Sequence, residues 1–348
     1  MNCFWSNARR AAAAVLVAGL LATPPGTSAS AATVIKLATL APEGSAWYKL
    51  LERMGADWSR ATGGAVTLRI YGGGVVGDEG TMIRKMRVGQ LQAATVTGLG
   101  LGSLEKSFYA LLVPLLYADD GEFDHVREKL APQLEQLLEK QGFVVLAWGD
   151  AGWISFFTKK PVTRPREAMA TKLFVGTSDS TIIQLYKDTG FNPAEVTAMD
   201  ILPGLQTGLL NAFANTPLAA LAFQWFALAP NMTDLKFAPL TGATIIDKRV
   251  WEKIPAELRP KIMAASRAGE AAVREEVRRL NAEAVNVMVK NGLKVQRISP
   301  EVQAEWVSLF DGLTPRIRGP IVPAPAFDAA RAARDEYRAA HAKGSGAR

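Results

Sequence analysis

The 348-residue chain reads as an α/β protein of two lobes, and three features of the sequence predict it. Short β-rich apolar runs alternate with helical spacings from Val34 onward, a second series of the same kind opens at Lys172, and an alanine- and charge-rich segment from Pro260 to Lys290 is long enough to brace both. With 49% hydrophobic and 21% charged residues the composition is that of an ordinary folded protein, with enough chain for two or three domains.

The elements follow in order. Arg9 and Arg10 precede an apolar run from Ala11 to Ala22, and Ala29-Ser30-Ala31 supplies small residues for cleavage, so residues 1–31 read as a secretory signal peptide. The run is shorter than the roughly 20 residues a membrane-spanning helix needs. Export to the periplasm is the expectation. Val34–Leu40 then reads as a strand, Pro42-Glu43-Gly44-Ser45 as a turn and cap, and Trp47, Leu50, Leu51, Met54 and Trp58 as one face of a helix. Val66–Tyr71 is a second strand, Glu79–Val88 a helix, and Leu91–Thr97 a third strand. This β-α-β-α-β order implies a mainly parallel sheet. Phe143–Trp148 reads as a buried strand, and Lys172–Val175, Thr181–Thr189 and Pro193–Val196 repeat the alternation. Pro260–Lys290 predicts one or two long amphipathic helices, and the tail after Phe327 is helical by composition.

Several function classes are poorly supplied. One cysteine, Cys3, lies within the signal segment, and the two histidines, His125 and His341, leave little for a metal site or a histidine-based triad. Without residues 1–31 the chain carries 38 basic and 33 acidic side chains, a balance of +5 concentrated after Arg259. That is a solvated helix surface rather than the aromatic-interleaved basic stripe of a nucleic-acid binder. Gly72-Gly73-Gly74-Val75-Val76-Gly77 matches a dinucleotide fingerprint literally, yet the acidic residue expected about twenty positions on is replaced by Ala94-Thr95-Val96-Thr97. Gly98, Gly100 and Gly102 follow a strand end, where glycine serves either a turn or a close ligand approach. No cofactor is implied.

The order of motifs resembles the solute-binding proteins of TRAP (tripartite ATP-independent periplasmic) transporters over roughly residues 33–325. The likeness rests on the opening strand and Pro42 turn, Tyr71 to Glu79, Met82 to Gly89, Val113-Pro114-Leu115-Leu116-Tyr117, Gly152-Trp153, Lys159-Lys160-Pro161-Val162, Lys172 to Val175, Leu205 to Asn215, and Trp251-Glu252-Lys253-Ile254-Pro255. It implies a two-lobed periplasmic-binding-protein fold of the class II type, mixed sheets flanked by helices, with a long helix spanning both lobes. Residues 33–151 with 240–282 would form one lobe, 152–239 with 283–325 the other, and 326–348 a basic helical tail. It also implies a carrier rather than an enzyme, with a small-molecule ligand and the membrane permease subunits as partners.

The chain departs from the family where ligand is held. The arginine that pairs with a ligand carboxylate corresponds to Phe174, and a second basic position to Ile154. Burying an unpartnered carboxylate costs several kcal/mol, whereas a charge-assisted hydrogen bond contributes roughly 1.5–3 kcal/mol. A small dicarboxylate is therefore disfavoured and a hydrophobic or weakly polar molecule expected, including a lipid-like monocarboxylate. The predicted lining is Trp153, Ile154 and Phe174 as apolar contacts, Thr97, Thr177 and Asn215 as hydrogen-bonding groups, and Trp47 or Trp225 as closing side chains. Thr177-Ser178-Asp179-Ser180 also reads as a helix cap, where backbone N–H groups offer a carboxylate an alternative seat. A binding fold turned to partner interaction or lipid handling is the other reading, and an enzyme would have only Asp179 and Asp200 as loose candidates.

Overall fold

The computed structural model describes residues 32–176 and 179–342; the signal-peptide expectation and Thr177 lie outside the described residues. Ten strands order the chain: β1 (Thr33–Thr39), β2 (Val66–Tyr71), β3 (Ala93–Thr97), β4 (Phe143–Thr158), β5 (Lys172–Phe174), β6 (Asn192–Ala194), β7 (Ala212–Asn215), β8 (Asn231–Thr233), β9 (Ala238–Asp247) and β10 (Lys294–Gln296). They pair in the order β2-β1-β3-β9-β4-β7-β5-β6, with β8 on β4 and β10 on β8. The sheet is mixed rather than mainly parallel. β1 runs parallel to β2 and β3, while β9 is antiparallel to both β3 and β4. Strand β9 returns late in the chain, so the local β-α-β pattern carried no sign of its direction.

The two lobes meet on β4 and β9. The start of β4 pairs with β9 in the first half-sheet, and its end, Ser155–Thr158, pairs with β7 in the second. The pairing shifts register between Val145 and Ala147 and again between Asp150 and Gly152, and bulges of this kind bend a strand and increase its twist. Gly152 takes φ +108° there, and a Cβ on it would meet Nδ2 of Asn281 at 2.5 Å. Asn281 is buried in the helix Glu270–Lys290; its Nδ2 donates to the Ala151 carbonyl at 2.9 Å and its Oδ1 accepts from the Leu218 amide at 3.0 Å. One side chain thus ties the long helix to the bulged strand and to the helix Pro217–Ala222.

The segment from residue 260 to 290 forms two helices, Arg259–Arg267 and Glu270–Lys290, because Gly269 adopts φ +94° between them. Short side chains cap the helices that reach the cleft: Ser45 accepts from the Tyr48 amide at 3.3 Å, and Asp78 from the Thr81 amide at 2.8 Å. Gly98, Gly100 and Gly102 stand inside a short helix, Gly98–Leu104, rather than in a turn. Close packing requires them, since a Cβ at Gly102 would fall 2.0 Å from the Tyr109 ring. The tail forms the helix Ala324–Ala342, which buries Phe327, Ala330 and Ala333 against the helix Asp120–Lys140. Arg338 there holds the buried Glu122 by two hydrogen bonds of 2.7 and 2.9 Å. Among the described residues no helix is long and apolar enough to cross a membrane.

Candidate functional site

A cavity of about 800 Å³ lies between the half-sheets. Its floor on the first side is made by strand residues bearing hydroxyls or hydrogen: Thr95 and Thr97 of β3, Thr244 and Gly242 of β9, and Gly149 of β4. Thr97, Gly242 and Gly149 stand in register across three strands, so two of these three neighbouring floor positions carry no side chain. The hydroxyls of Thr95 and Thr244 lie 2.9 Å apart. The opposite wall is largely apolar, with Phe174 at the end of β5, Val196 and Met199, and Phe223 and Trp225, and Asp179 and Asn215 are among its polar members. Met199 reaches back across the rim; a Cβ at Gly74 would sit 2.8 Å from its sulfur.

Six of the eight side chains predicted from the sequence line this cavity: Trp47, Thr97, Ile154, Phe174, Asn215 and Trp225. Phe174 and Trp225 are nearly buried, at 3% and 4% exposure, and each is both wall and core. Trp225 stacks on Phe223 at 4.6 Å and meets Phe213 edge-on at 5.4 Å. Trp47, on the helix Ala46–Ala61 of the first side, packs against the cluster that holds Phe174 and Trp225 on the second. Its indole N–H is buried and has no hydrogen-bond partner among the described residues. Asn215 accepts the Thr216 amide at 2.8 Å through Oδ1. Trp153 is placed elsewhere. Adjacent residues of a strand point to opposite faces, so with Ile154 on the cavity Trp153 faces the helix Asp120–Lys140. There its indole donates to Asp120 at 2.9 Å and its ring meets Phe123.

The charged lining was not foreseen. Seven carboxylates line the cavity against one basic group, Arg53, among the described residues. Three are ion-paired: Asp57 with Arg60 at 2.7 Å, Asp150 with the buried Arg127 at 2.7 Å, and Glu276 with Arg279 at 2.8 Å. Asp78 caps its helix, and hydrogen bonds from Thr81 hold its carboxyl below the usual range. Asp179 caps the helix Ser180–Asp188, accepting the Thr181 amide at 2.9 Å. A carboxylate from the protein itself therefore sits at the helix start where an anionic ligand was one expectation. The same holds at Asp78, where a dinucleotide pyrophosphate would need the helix terminus.

Glu79 and Glu270 make no ion pair among the described residues. Glu79 accepts the Thr97 amide at 2.6 Å and the Thr97 hydroxyl at 2.9 Å, and also bonds the Gly100 amide. It pins the start of the helix Gly98–Leu104 to the floor and ties up the Thr97 hydroxyl that was expected to face ligand. Glu270 accepts the Trp148 amide at 2.9 Å. Burial pushes both carboxyls above the ordinary range, against hydrogen bonds that act the other way. Each follows a glycine-marked break and opens a helix, Glu79 after Gly77 and Glu270 after Gly269. An acid at a helix start is normally read as a cap, which hides a second duty. Among the described residues no group of three or more histidine, cysteine or carboxylate side chains could hold a metal ion.

The model of the bacterial extracellular solute-binding proteins, family 7, matches residues 37–317. The chain belongs to this family, the solute-binding proteins of TRAP transporters. A solute-binding protein of Albidiferax ferrireducens is 23% identical over 273 residues, 76% of this chain and 79% of that protein. Among solved structures, a TRAP periplasmic solute-binding protein from Shewanella oneidensis with bound succinate superposes with a TM-score of 0.81 at 17% identity, covering 87% of this chain and all (100%) of that one. Another, from Xanthobacter autotrophicus with bound β-D-galacturonate, gives 0.78 at 19% identity, covering 86% and 99%. The fold is thus the two-lobed one of TRAP solute-binding proteins, a family of periplasmic ligand receptors rather than of enzymes. The ligands named in these two structures are acids.

Proposed function

We propose that this TRAP-type solute-binding protein is exported by its N-terminal segment, closes its cleft on a hydrophobic or weakly polar small molecule, and delivers it to membrane permease subunits without catalysing a reaction. In this reading residues 33–151 with 240–282 and residues 152–239 with 283–325 move as the two lobes. The observation that supports it is the lining: Phe174 and Ile154, where the family resemblance implies basic anchors, both border the cavity, and among the described residues seven carboxylates border it with a single arginine. A small dicarboxylate would lose its hydration there and meet like charge, a cost of several kcal/mol with no guanidinium to offset it. The indole of Trp47 and the amide of Asn215 are neutral groups that orient one polar end of a ligand without requiring charge.

The test is native mass spectrometry of the purified mature protein beside a denatured, solvent-extracted sample. The reading predicts a bound mass that passes into the organic phase. A bound small organic acid, recovered only in the aqueous phase, would overturn it.

A further inference from the structure

A second, apolar chamber of about 110 Å³ adjoins the main cavity. Leu99, Tyr109, Ile154, Val175, Phe237 and Leu240 are among the side chains that line both spaces. The chamber continues behind them between Leu112, Ile182, Leu185, Phe310 and Ile317. Among the described residues, threonine and tyrosine hydroxyls are the only polar side-chain groups in its wall, and none of its lining residues is charged. Ile154, the position where the family resemblance implied a basic residue, is one of the side chains between the two spaces. Most of the side chains between the two spaces are aliphatic or aromatic, free of the directional bonds that would fix a polar partition, and at its edge the Tyr109 hydroxyl lies 3.3 Å from Asp179.

The two ends of the combined space differ in chemistry. At the far end an apolar chain gains about 0.8 kcal/mol per buried methylene, which is about fourfold in affinity. On the floor, ionised carboxylates accept hydrogen bonds and donate none, so a head group that faces Glu79 and Glu270 must donate. Resting on the ligand class proposed above, we infer that the chamber behind Ile154 is a tail subsite, and that the ligand is an amphiphile whose apolar chain fills it while a hydroxyl or amine head faces the acid-lined floor.

The experiment is calorimetry on ligand-stripped protein with straight-chain 1-alkanols, 1-aminoalkanes and alkanoates of four to eight carbons. Alcohols and amines should tighten about fourfold per methylene, and octylamine should bind at least tenfold tighter than octanoate. Ile182 lines the chamber but not the main cavity, so Ile182→Trp should abolish the gain from hexyl to octyl and leave the butyl compounds unchanged. Ile182→Ala should strengthen the octyl compounds. Octanoate binding as tightly as octylamine would overturn the head assignment, and a chain-length slope that neither variant moves would overturn the tail subsite. In both cases the apolar-ligand reading stands. Binding of succinate with none of the alkyl series binding would overturn both.

Discussion

The two sides of the cleft are built on different physics. On the side of β1 and β3 the lining combines threonine, glycine and carboxylate, held by hydrogen bonds and by the pair of Arg127 with Asp150, with apolar side chains such as Trp47, Leu50 and Met54. On the side of β5 and β7 it is the outer face of an aromatic core in which Phe157 and Phe213 stack at 4.8 Å and Phe174 and Trp225 are nearly buried. Polar lining is directional and sets which groups a ligand must carry, whereas aromatic lining sets how much apolar surface it must have. The amphiphile proposed above would use both kinds of lining.

Removing one support at a time tests this contrast. The largest loss should come from Arg127→Ala. Its side chain is 6% exposed and that of Asp150 9%, so truncation strands a buried carboxylate. Denaturant unfolding should show a loss of about 3–5 kcal/mol. Asn281→Ala should cost about 1–3 kcal/mol, because it leaves the buried Leu218 amide and Ala151 carbonyl without their partner where the halves join. Its effect on ligand closure should exceed its effect on stability if β4 and β9 act as the hinge; an unchanged binding rate would remove Asn281 from that role. The smallest effect belongs to Glu270→Gln. A carboxyl whose pKa is raised by folding adds stability below its unfolded value and loses it as pH rises through the folded one. The glutamine variant, which still accepts from Trp148, should therefore be more stable than wild type at neutral pH by under about 1 kcal/mol, and the difference should vanish in acid. A variant less stable at pH 7 would show that Glu270 is held charged by its neighbours.

Much of the first lobe was legible because its elements are local. The Ser45 cap, the alternation of Val66–Tyr71 and the acid-capped helix after Gly77 each specify themselves within a few residues. Strand β4 was seen only in its first third, since Gly149-Asp150-Ala151-Gly152 has the composition of a turn. It is strand because β9, buried along its whole length, pairs with it from residues a hundred positions away. The site was half legible. Phe174 and Ile154 were marked by what they replace, but Trp153 was grouped with its neighbour although strand geometry sends the two side chains apart. Glu79 and Glu270 look like ordinary first-turn acids until the tertiary fold turns the start of each helix toward the same cavity.

The proposed ligand class requires this cleft to reject succinate and β-D-galacturonate, the acids bound in the two solved structures above. It is tested most directly by titrating succinate and β-D-galacturonate into ligand-stripped wild-type protein in a calorimeter at low ionic strength, where any charge-driven binding would be strongest. No saturable heat is expected for either compound at millimolar concentration. Saturation of either acid in the micromolar range would contradict it, and would mean that Arg53 or a backbone site does the work of the missing guanidinium.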